Sequence, residues 1–174
     1  MVAENSADPH DLQRFVDAQD PVYDTVIGEL RAGRKRTHWV WFIFPQLKGL
    51  GRSSTAQHYG IASRQEAVAY LEHGVLGPRL RECTQLVLAI EGRSAGEVFG
   101  SPDDLKLRSS MTLFARCTDD NADFLGVLDK FYGGEPDPAT TRPWRSAVSR
   151  RETVSGASST LSATTSASSP LRVS

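Results

Sequence analysis

Basic and aromatic residues share one stretch of the chain, a combination suited to holding an anion. Between Leu30 and Gln65 there is no Asp or Glu. Seven cations fall in this interval: Arg31, Arg34, Lys35, Arg36, Lys48, Arg52 and Arg64. Together with Trp39, Trp41 and Tyr59 they offer the charges and ring faces that bind phosphate-bearing or nucleotide-like ligands. The first four cations equally suit a helix C-terminus, and that alternative stays open.

A glycine-punctuated loop follows the aromatic run and offers backbone N–H groups. It reads Gly49-Leu50-Gly51-Arg52-Ser53-Ser54, and Lys48 precedes it. Such N–H groups beside a helix start can cradle an anion, although a tight turn also accounts for the glycines. The loop lacks the Gly-Lys-Ser/Thr ending of a Walker motif, and no predicted strand precedes it. Lys48, Arg52 and Ser53 are its candidate ligand contacts.

His38 opens the aromatic run and is the candidate general acid or base. The alternative is a histidine that makes one structural hydrogen bond. The other histidines, at positions 10, 58 and 73, have no spacing that brings metal ligands onto one helical face. Neither Cys-x-x-Cys nor His-Glu-x-x-His occurs, so the sequence predicts no metal site, and no cofactor is expected.

A second polar set lies on the predicted helix 106–114. At about 100° per residue, Ser110 falls inside an apolar arc and Lys106 at its edge, one turn earlier. Ser109 and Thr112 fall on the more polar side. A buried serine needs a partner, which is either the carbonyl of Lys106 or a ligand in an internal cleft.

These residues lead to a binding hypothesis. A small anionic ligand is expected in a cleft between the stretch 38–46 and the helix 106–114. The predicted contacts are His38, Trp41, Gln46, Lys48, Arg52, Ser53, Tyr59, Lys106, Ser109 and Ser110. The alternative is a protein–protein interaction module without a small-molecule site, in which the aromatic run is core and the basic segment an outer contact face.

The elements that must position these residues are predicted to be helices. Asp8-Pro9 and Asp20-Pro21 are helix starts with a capping Asp and a first-turn Pro. The apolar run 39–44 lies between Thr37, an acceptable N-cap, and Pro45. With no second convincing strand to pair its backbone groups, this run is predicted to be a short buried helix.

Helix signals continue along the rest of the chain. They are the capping box Ser63-Arg64-Gln65-Glu66, the apolar stripe from Leu80 to Ile90, the start Ser101-Pro102-Asp103-Asp104, and the segment 122–132 closed by Gly133. We therefore predict an all-α, single irregular domain over residues 8–140, with seven or eight short helices around the central aromatic stretch. The Ser/Thr-rich segment 141–174 is predicted to be a disordered tail, and truncation after about Gly134 to Trp144 is expected to change the melting temperature little.

Composition limits the classes of protein. The chain has 174 residues, 39% hydrophobic and 24% charged, and a net charge of −1, which is ordinary for a soluble domain and favours neither nucleic acid nor anionic membrane. No apolar run approaches the roughly 20 residues that span a bilayer. Cys83 and Cys117 lie in apolar helical patterns, which predicts two buried, reduced thiols and a cytoplasmic protein.

Longer motifs resemble a family of small, mostly bacterial proteins known as domain of unknown function 1810. The resemblance rests on Lys35-x-x-His38-Trp39-x-Trp41-Phe42-Ile43-Phe44-Pro45-Gln46, on Gly49-Leu50-Gly51-x-Ser53, and on Phe99-Gly100-x-Pro102-Asp103-Asp104-x-Lys106-Leu107-x-Ser109-Ser110-Met111-Thr112-Leu113-Phe114. It implies a mainly α-helical fold. It implies no activity: some members are labelled calpastatin, but this chain shows no repeated inhibitor segments.

Overall fold

Nine α-helices account for most of residues 7–143, the part of the chain that the computed structural model describes. They are α1 (Gln13–Gln19), α2 (Tyr23–Arg31), α3 (Val40–Ile43), α4 (Ser54–His58), α5 (Arg64–Glu72), α6 (Leu76–Leu88), α7 (Ala95–Phe99), α8 (Asp103–Ala115) and α9 (Ala122–Tyr132). Residues 138–143 are also helical. The predicted all-α single domain is confirmed, and it is divided more finely than into seven or eight helices.

The central aromatic stretch forms the short buried helix α3, as predicted. Trp39, Val40, Ile43 and Phe44 are buried. The Trp39 ring packs 6.2 Å from the rings of both Phe44 and Phe99, measured between centroids. Helices α1, α6 and α8 all contact α3, so this short helix lies at the centre of the core.

Glu29, at the end of α2, holds the entry to α3. Its carboxylate accepts hydrogen bonds from the backbone of Arg36 and Thr37, from the Thr37 hydroxyl at 2.7 Å and from Trp39 Nε1 at 3.0 Å. Burial would raise the pKa of Glu29, but these hydrogen bonds outweigh burial and hold that pKa below its ordinary value. The predicted cap at Thr37 is wrong, because its hydroxyl donates to Glu29 and Trp39 occupies the N-cap position without a side-chain cap.

The predicted start of the first helix is about one turn early. The Asp8 carboxylate accepts from the N–H groups of Leu12 and Gln13 at 2.8 and 2.9 Å, and the helix itself begins at Gln13. The Asp-Pro signal therefore marks a turn that leads into α1, since the same side chain can cap a turn or a helix.

The capping box predicted at Ser63 forms only in part. Ser63 accepts from the N–H of Glu66, but the Glu66 carboxylate accepts from Ala62 N. Its other oxygen pairs with Arg14, 2.7 Å away, which draws the side chain away from the Ser63 N–H. A complete capping box stands instead at Ser94 and Glu97, at the start of α7.

The loop after α3 is hydrogen-bonded to Ile61, which lies three residues beyond the end of α4. Lys48 N donates to Ile61 O and Ile61 N donates to Gln46 O, both at 2.9 Å, which makes an isolated parallel bridge between Leu47 and Ile61. This bridge fixes the backbone of Gln46 and of the glycine loop against the core.

The segment after α9 folds back on α8. Arg108 donates to the carbonyls of Glu135 and Pro136, and Asp137 N donates to Thr112 Oγ1 at 2.9 Å. Thr141, which the sequence assigned to the tail, is only 4% exposed. The boundary at residue 140 stays a prediction, and the remainder of the predicted tail, from 144 onwards, lies outside the described residues.

Both cysteines are buried and unpaired, as expected. Burial raises the pKa of Cys83 to about 12 and that of Cys117 to about 11, so both remain thiols at neutral pH. Over residues 7–143, no helix has the length and apolar character needed to cross a bilayer.

Candidate functional site

A cleft of about 340 Å³ opens between the loop after α3 and the first turns of α8; we call it the α8 cleft. Gln46, Leu50 and Gly51 line one side, and Leu105, Lys106 and Ser109 line the other. Asp137 and Ala139 close one end and Pro102 lies near the helix start. Residues far apart in the sequence meet here because the bridge at Leu47 holds the loop against the core while α3 packs on α8.

Lys106 places a cation in this cleft. Its Nζ lies 3.0 Å from Asp103 Oδ1 and 4.7 Å from the centre of the half-buried Trp41 ring, a distance at which a cation–π attraction operates. The side chain is 17% exposed. Among the described residues only Asp103 accepts from the ammonium, which has three N–H donors, so two donors are free to meet a ligand.

Asp103 is shared between two lysines. Lys35 Nζ lies 2.8 Å from Asp103 Oδ2 and also donates to the carbonyl of Thr37. Burial would raise the pKa of Asp103, but the hydrogen bonds and charges of Lys35 and Lys106 outweigh burial and keep that pKa below its ordinary value. This lysine cluster (Lys35, Asp103 and Lys106) therefore carries one positive charge in excess.

Gln46 presents an unpaired amide to the cleft. The residue is 8% exposed, and its backbone carbonyl accepts from Ile61 N. Its side-chain amide makes no hydrogen bond to any residue between 7 and 143. In that part of the chain, the fully enclosed unpaired side-chain atoms are Asp104 Oδ1 and Ser110 Oγ. The Gln46 amide thus keeps access to open space, and the space beside it is the cleft.

Ser109 and Asp137 form a rigid wall. Ser109 Oγ lies 3.0 Å from Leu105 O and 2.9 Å from Asp137 Oδ2, and its single proton serves one of these acceptors at a time. Asp137 Oδ2 also accepts from the Thr140 hydroxyl. Because Asp137 is held from two sides, its carboxylate stays in place while Lys106 retains free donors.

Ser110 is buried, as the helical wheel indicated, but it does not make the bond suggested for it. It is fully buried and its hydroxyl has no partner within the described residues, so the bond to the Lys106 carbonyl is absent. The back-bonds are made by Ser109 and by Thr112, which donates to Arg108 O at 2.8 Å. Both residues were expected on the polar side and both are buried, because the segment 135–143 covers that face of α8.

Other predicted contacts lie outside the α8 cleft. His38 is exposed and makes no hydrogen bond with the described residues. Arg52 is exposed, and Ser53 accepts from Ala56 N as the N-cap of α4. Tyr59 packs against the rings of Phe15 and Phe42.

Lys48 lines a different, polar cleft of about 410 Å³. There Arg14 donates to the carbonyls of His58 and Gly60 and pairs with Glu66. In this second cleft, Arg14 and Glu66 are therefore occupied by structural contacts within the chain. From the predicted set the α8 cleft therefore unites Gln46, Lys106 and Ser109, with Trp41 against the Lys106 ammonium.

Six lining residues of the cleft were missed by the sequence reasoning: Leu50, Gly51, Pro102, Leu105, Asp137 and Ala139. Leu50 and Gly51 stood in the recognised loop, but nothing in their types indicated a lining role. Leu105 lies in the first turn of α8 and is 55% exposed. Asp137-Pro138 repeats the Asp-Pro signal that was noted at Asp8 and Asp20, and it does precede a helical segment. No group of three potential metal ligands occurs among residues 7–143.

Comparison with known proteins identifies the family. The model described as "Protein of unknown function (DUF1810)" matches residues 9–143. The crystal structure of the conserved hypothetical protein Rv1873 from Mycobacterium tuberculosis is similar, with 63% identity and a TM-score of 0.78, over 78% of this chain and 97% of that chain. None of the curated proteins matches. The chain belongs to the DUF1810 family of proteins of unknown function.

Proposed function

We propose that this protein binds a small anionic ligand, phosphorylated or nucleotide-like, in the α8 cleft. The observation that carries the proposal is Lys106, whose ammonium lines the cleft with two donors unused by the described residues. Leu50, Leu105 and Pro102 give the cleft apolar walls. Apolar walls with a few convergent polar groups are the usual make-up of a small-molecule site.

Lys35 explains why Lys106 keeps an effective charge. If Asp103 faced Lys106 alone, the pair would be neutral and would attract an anion weakly. Because Lys35 Nζ lies 2.8 Å from the other oxygen of Asp103, Asp103 does not neutralise Lys106 alone. The other charged group in the cleft lining is Asp137, whose carboxylate accepts from the hydroxyls of Ser109 and Thr140. The surroundings exclude part of the water, which strengthens this attraction relative to an exposed lysine.

The proposal is one of binding, with no reaction assigned. His38, the candidate acid or base, is exposed and has no orienting hydrogen bond from the described residues, whereas a general base is held by a partner. We place the function in the cytoplasm, which the two unpaired thiols favour.

The test is thermal unfolding of the full chain with a panel of nucleotides and phosphorylated metabolites. A ligand at about 100 times its Kd adds roughly 2.7 kcal/mol to the free energy of unfolding. Lys106→Met should abolish this gain. Met is preferred to Glu, because a carboxylate at this position would face Asp103 and weaken the fold for a different reason.

Lys130→Met is the matched control. Lys130 also forms an ion pair, with its Nζ 2.9 Å from Glu91 Oε1, but it lies on α9 and does not line the cleft. It should leave ligand stabilisation intact. If no anion in the panel stabilises the wild type, or if Lys106→Met responds to the ligand as the wild type does, the proposal is wrong.

The exposed basic segment favours a second candidate, an interaction face for an acidic protein. Arg31, Arg34 and Arg36 are exposed, and their side chains form no ion pair within residues 7–143. Polyglutamate can stand in for such a partner. Stabilisation by polyglutamate that is lost on replacing the three arginines with alanine, and kept in Lys106→Met, would support this candidate. If polyglutamate does not stabilise the protein at low salt, the second candidate is wrong.

A further inference from the structure

We infer that Gln46 determines specificity in the α8 cleft, and that the anionic ligand also carries an amide-like edge. Such an edge places a hydrogen-bond donor next to an acceptor, as lactam rings of nucleobases and primary carboxamides do. The inference rests on the proposed function, because it concerns the same cleft, but it depends on a different residue and a different observation.

The unpaired amide of Gln46 is the observation. The two glutamines that are buried in the described part of the chain differ sharply. Gln19 is 1% exposed, and its Nε2 donates to Phe42 O at 2.7 Å and to the Tyr70 hydroxyl at 3.0 Å. Gln46 is 8% exposed and its amide meets no partner from the described residues. The Gln46 amide is not enclosed, since the enclosed unpaired side-chain atoms in this part of the chain are Asp104 Oδ1 and Ser110 Oγ. It faces the cleft with its donors and acceptor free for a ligand.

Gly51 keeps the space around this amide free. A Cβ at Gly51 would lie 3.3 Å from Gln46 Nε2 and 2.5 Å from Ala56 Cβ. Gly51 does not have a positive φ, unlike Gly49 at +99°, so its backbone does not require glycine. The missing side chain is needed for the close approach of the loop, α4 and the Gln46 amide.

The groups in the cleft define the ligand class. A glutamine side chain offers one acceptor oxygen and two N–H donors in one plane, and it pairs in a bidentate manner with an edge that shows the complementary pattern. Lys106 takes the anionic group, and Leu50 and Leu105 contact the apolar body. A monophosphate with an amide-bearing ring meets these three requirements together, whereas a sugar phosphate meets only the first.

The test compares four probes by titration calorimetry on the full chain. Ribose 5-phosphate carries the anion alone. Uridine monophosphate and nicotinamide mononucleotide add an amide-like edge, and N3-methyluridine monophosphate blocks the donor of that edge with little change in size. At least one edge-bearing probe should bind at least about tenfold more tightly than ribose 5-phosphate, since sites built around a hydrogen bond reject analogues that lack it. Gln46→Leu should erase the advantage of the edge-bearing probes over ribose 5-phosphate, whereas Lys130→Met, which lies outside the cleft, should preserve it.

Two results would overturn the inference alone. One is that ribose 5-phosphate binds as tightly as both edge-bearing probes; the other is that Gln46→Leu preserves the discrimination. If neither ribose 5-phosphate nor any nucleotide binds, the proposed function fails as well. Folding is checked with Gln19→Leu as the matched variant, which should lower Tm because it removes three hydrogen bonds, to Phe42, Tyr70 and Arg79. A loss of Tm in Gln46→Leu as large as in Gln19→Leu would show a structural amide and would also overturn the inference.

Discussion

Trp39 and Trp41 stand two positions apart and do different work. Trp39 is 1% exposed, packs among the core rings and donates to Glu29. Trp41 is half-buried and contacts the Lys106 ammonium through its ring face. Trp39 stands at the N-cap of α3, outside the helix, and Trp41 is the second helical residue. One tryptophan therefore belongs to the scaffold and the other borders the candidate site.

Alanine substitution should separate these roles. Trp39→Ala should lower the free energy of unfolding by about 3–5 kcal/mol, as removal of a fully buried aromatic side chain does. Trp41→Ala should cost clearly less, because part of its ring already contacts solvent, and it should impair ligand binding. Urea unfolding of both variants measures the difference. Equal losses would show that both rings are core.

Glu29 makes a further residue-level prediction, on pH. Its pKa in the folded chain lies below the ordinary value of 4.5, so its contribution to stability is complete above that value and is lost as the pH falls through the lower, folded pKa. Glu29→Gln should therefore lower Tm markedly at pH 7, and the gap to the wild type should narrow below about pH 4.5. Thermal unfolding from pH 7 to pH 3 measures this gap. A gap that stays constant would show that the charge of Glu29 does not contribute.

At the scale of elements, α5 and α6 pack through their backbones. Gly77 lies in the first turn of α6, and a Cβ there would fall 2.1 Å from the Leu71 carbonyl oxygen of α5. Real atoms do not approach so closely, so a side chain must push the two helices apart. Gly28 in α2 is the matched case, since a Cβ there would meet nothing within 4 Å.

The two glycines should respond with opposite signs to alanine. Gly28→Ala should raise the free energy of unfolding by roughly 0.5–1 kcal/mol, which is the helix preference of alanine over glycine. Gly77→Ala should lower it by more than this gain, because the strain exceeds the preference. Chemical unfolding curves measure both. A stabilised Gly77→Ala would mean that α5 and α6 shift apart freely.

Helix α3 was predictable from its apolar residues together with the lack of a second convincing strand pattern in the sequence. The run before Pro45 was identified as a helix because it had no strand to pair with, and α3 confirms this. Caps were less predictable, since distant residues compete for the same groups. The Thr37 hydroxyl donates to Glu29 and so does not cap α3. The Glu66 carboxylate pairs with Arg14 and so does not complete the capping box at Ser63.

The candidate site was predictable only in part, because residue type can be read from the sequence but contacts between distant segments cannot. Lys106 and Gln46 were chosen by residue type, and the structure brings them to one cleft. The covering of Ser109 and Thr112 depends on the segment 135–143, which follows α9 and has no visible helical periodicity. His38 was grouped with the site as a possible acid or base at the start of the aromatic run, and Arg52 because of the local charge pattern. Neither signal determines the direction of a side chain.

At the scale of the whole molecule, the last described segment, residues 135–143, packs on α8. Arg108, Thr112 and Ser109 of α8 all bond to residues 135–137, and Thr140 and Thr141 are buried. Asp137 is also an end wall of the α8 cleft. The segment thus packs against the core and lines the candidate site, so a cut at the early end of the expected range, after Gly134, should matter more than a later one.

Two truncations should therefore differ. Removal of everything after Gly134 should lower Tm and weaken ligand binding, because it exposes α8 and removes part of the cleft wall. Removal of residues 151–174 should change Tm little, since their Ser/Thr-rich composition has no apolar periodicity to bury. Thermal unfolding of both shortened chains measures this. A loss of several degrees from the shorter truncation would show that the tail docks.

The most direct test of the central claim is a crystal structure of the full chain soaked with ribose 5-phosphate. The account predicts a phosphate in the α8 cleft, with an oxygen about 3 Å from Lys106 Nζ, the distance of a hydrogen bond. The sugar should lie towards Leu50 and Leu105. A phosphate held instead by the exposed arginines Arg31, Arg34 and Arg36, or an α8 cleft that holds only water at saturating ligand, would contradict the claim.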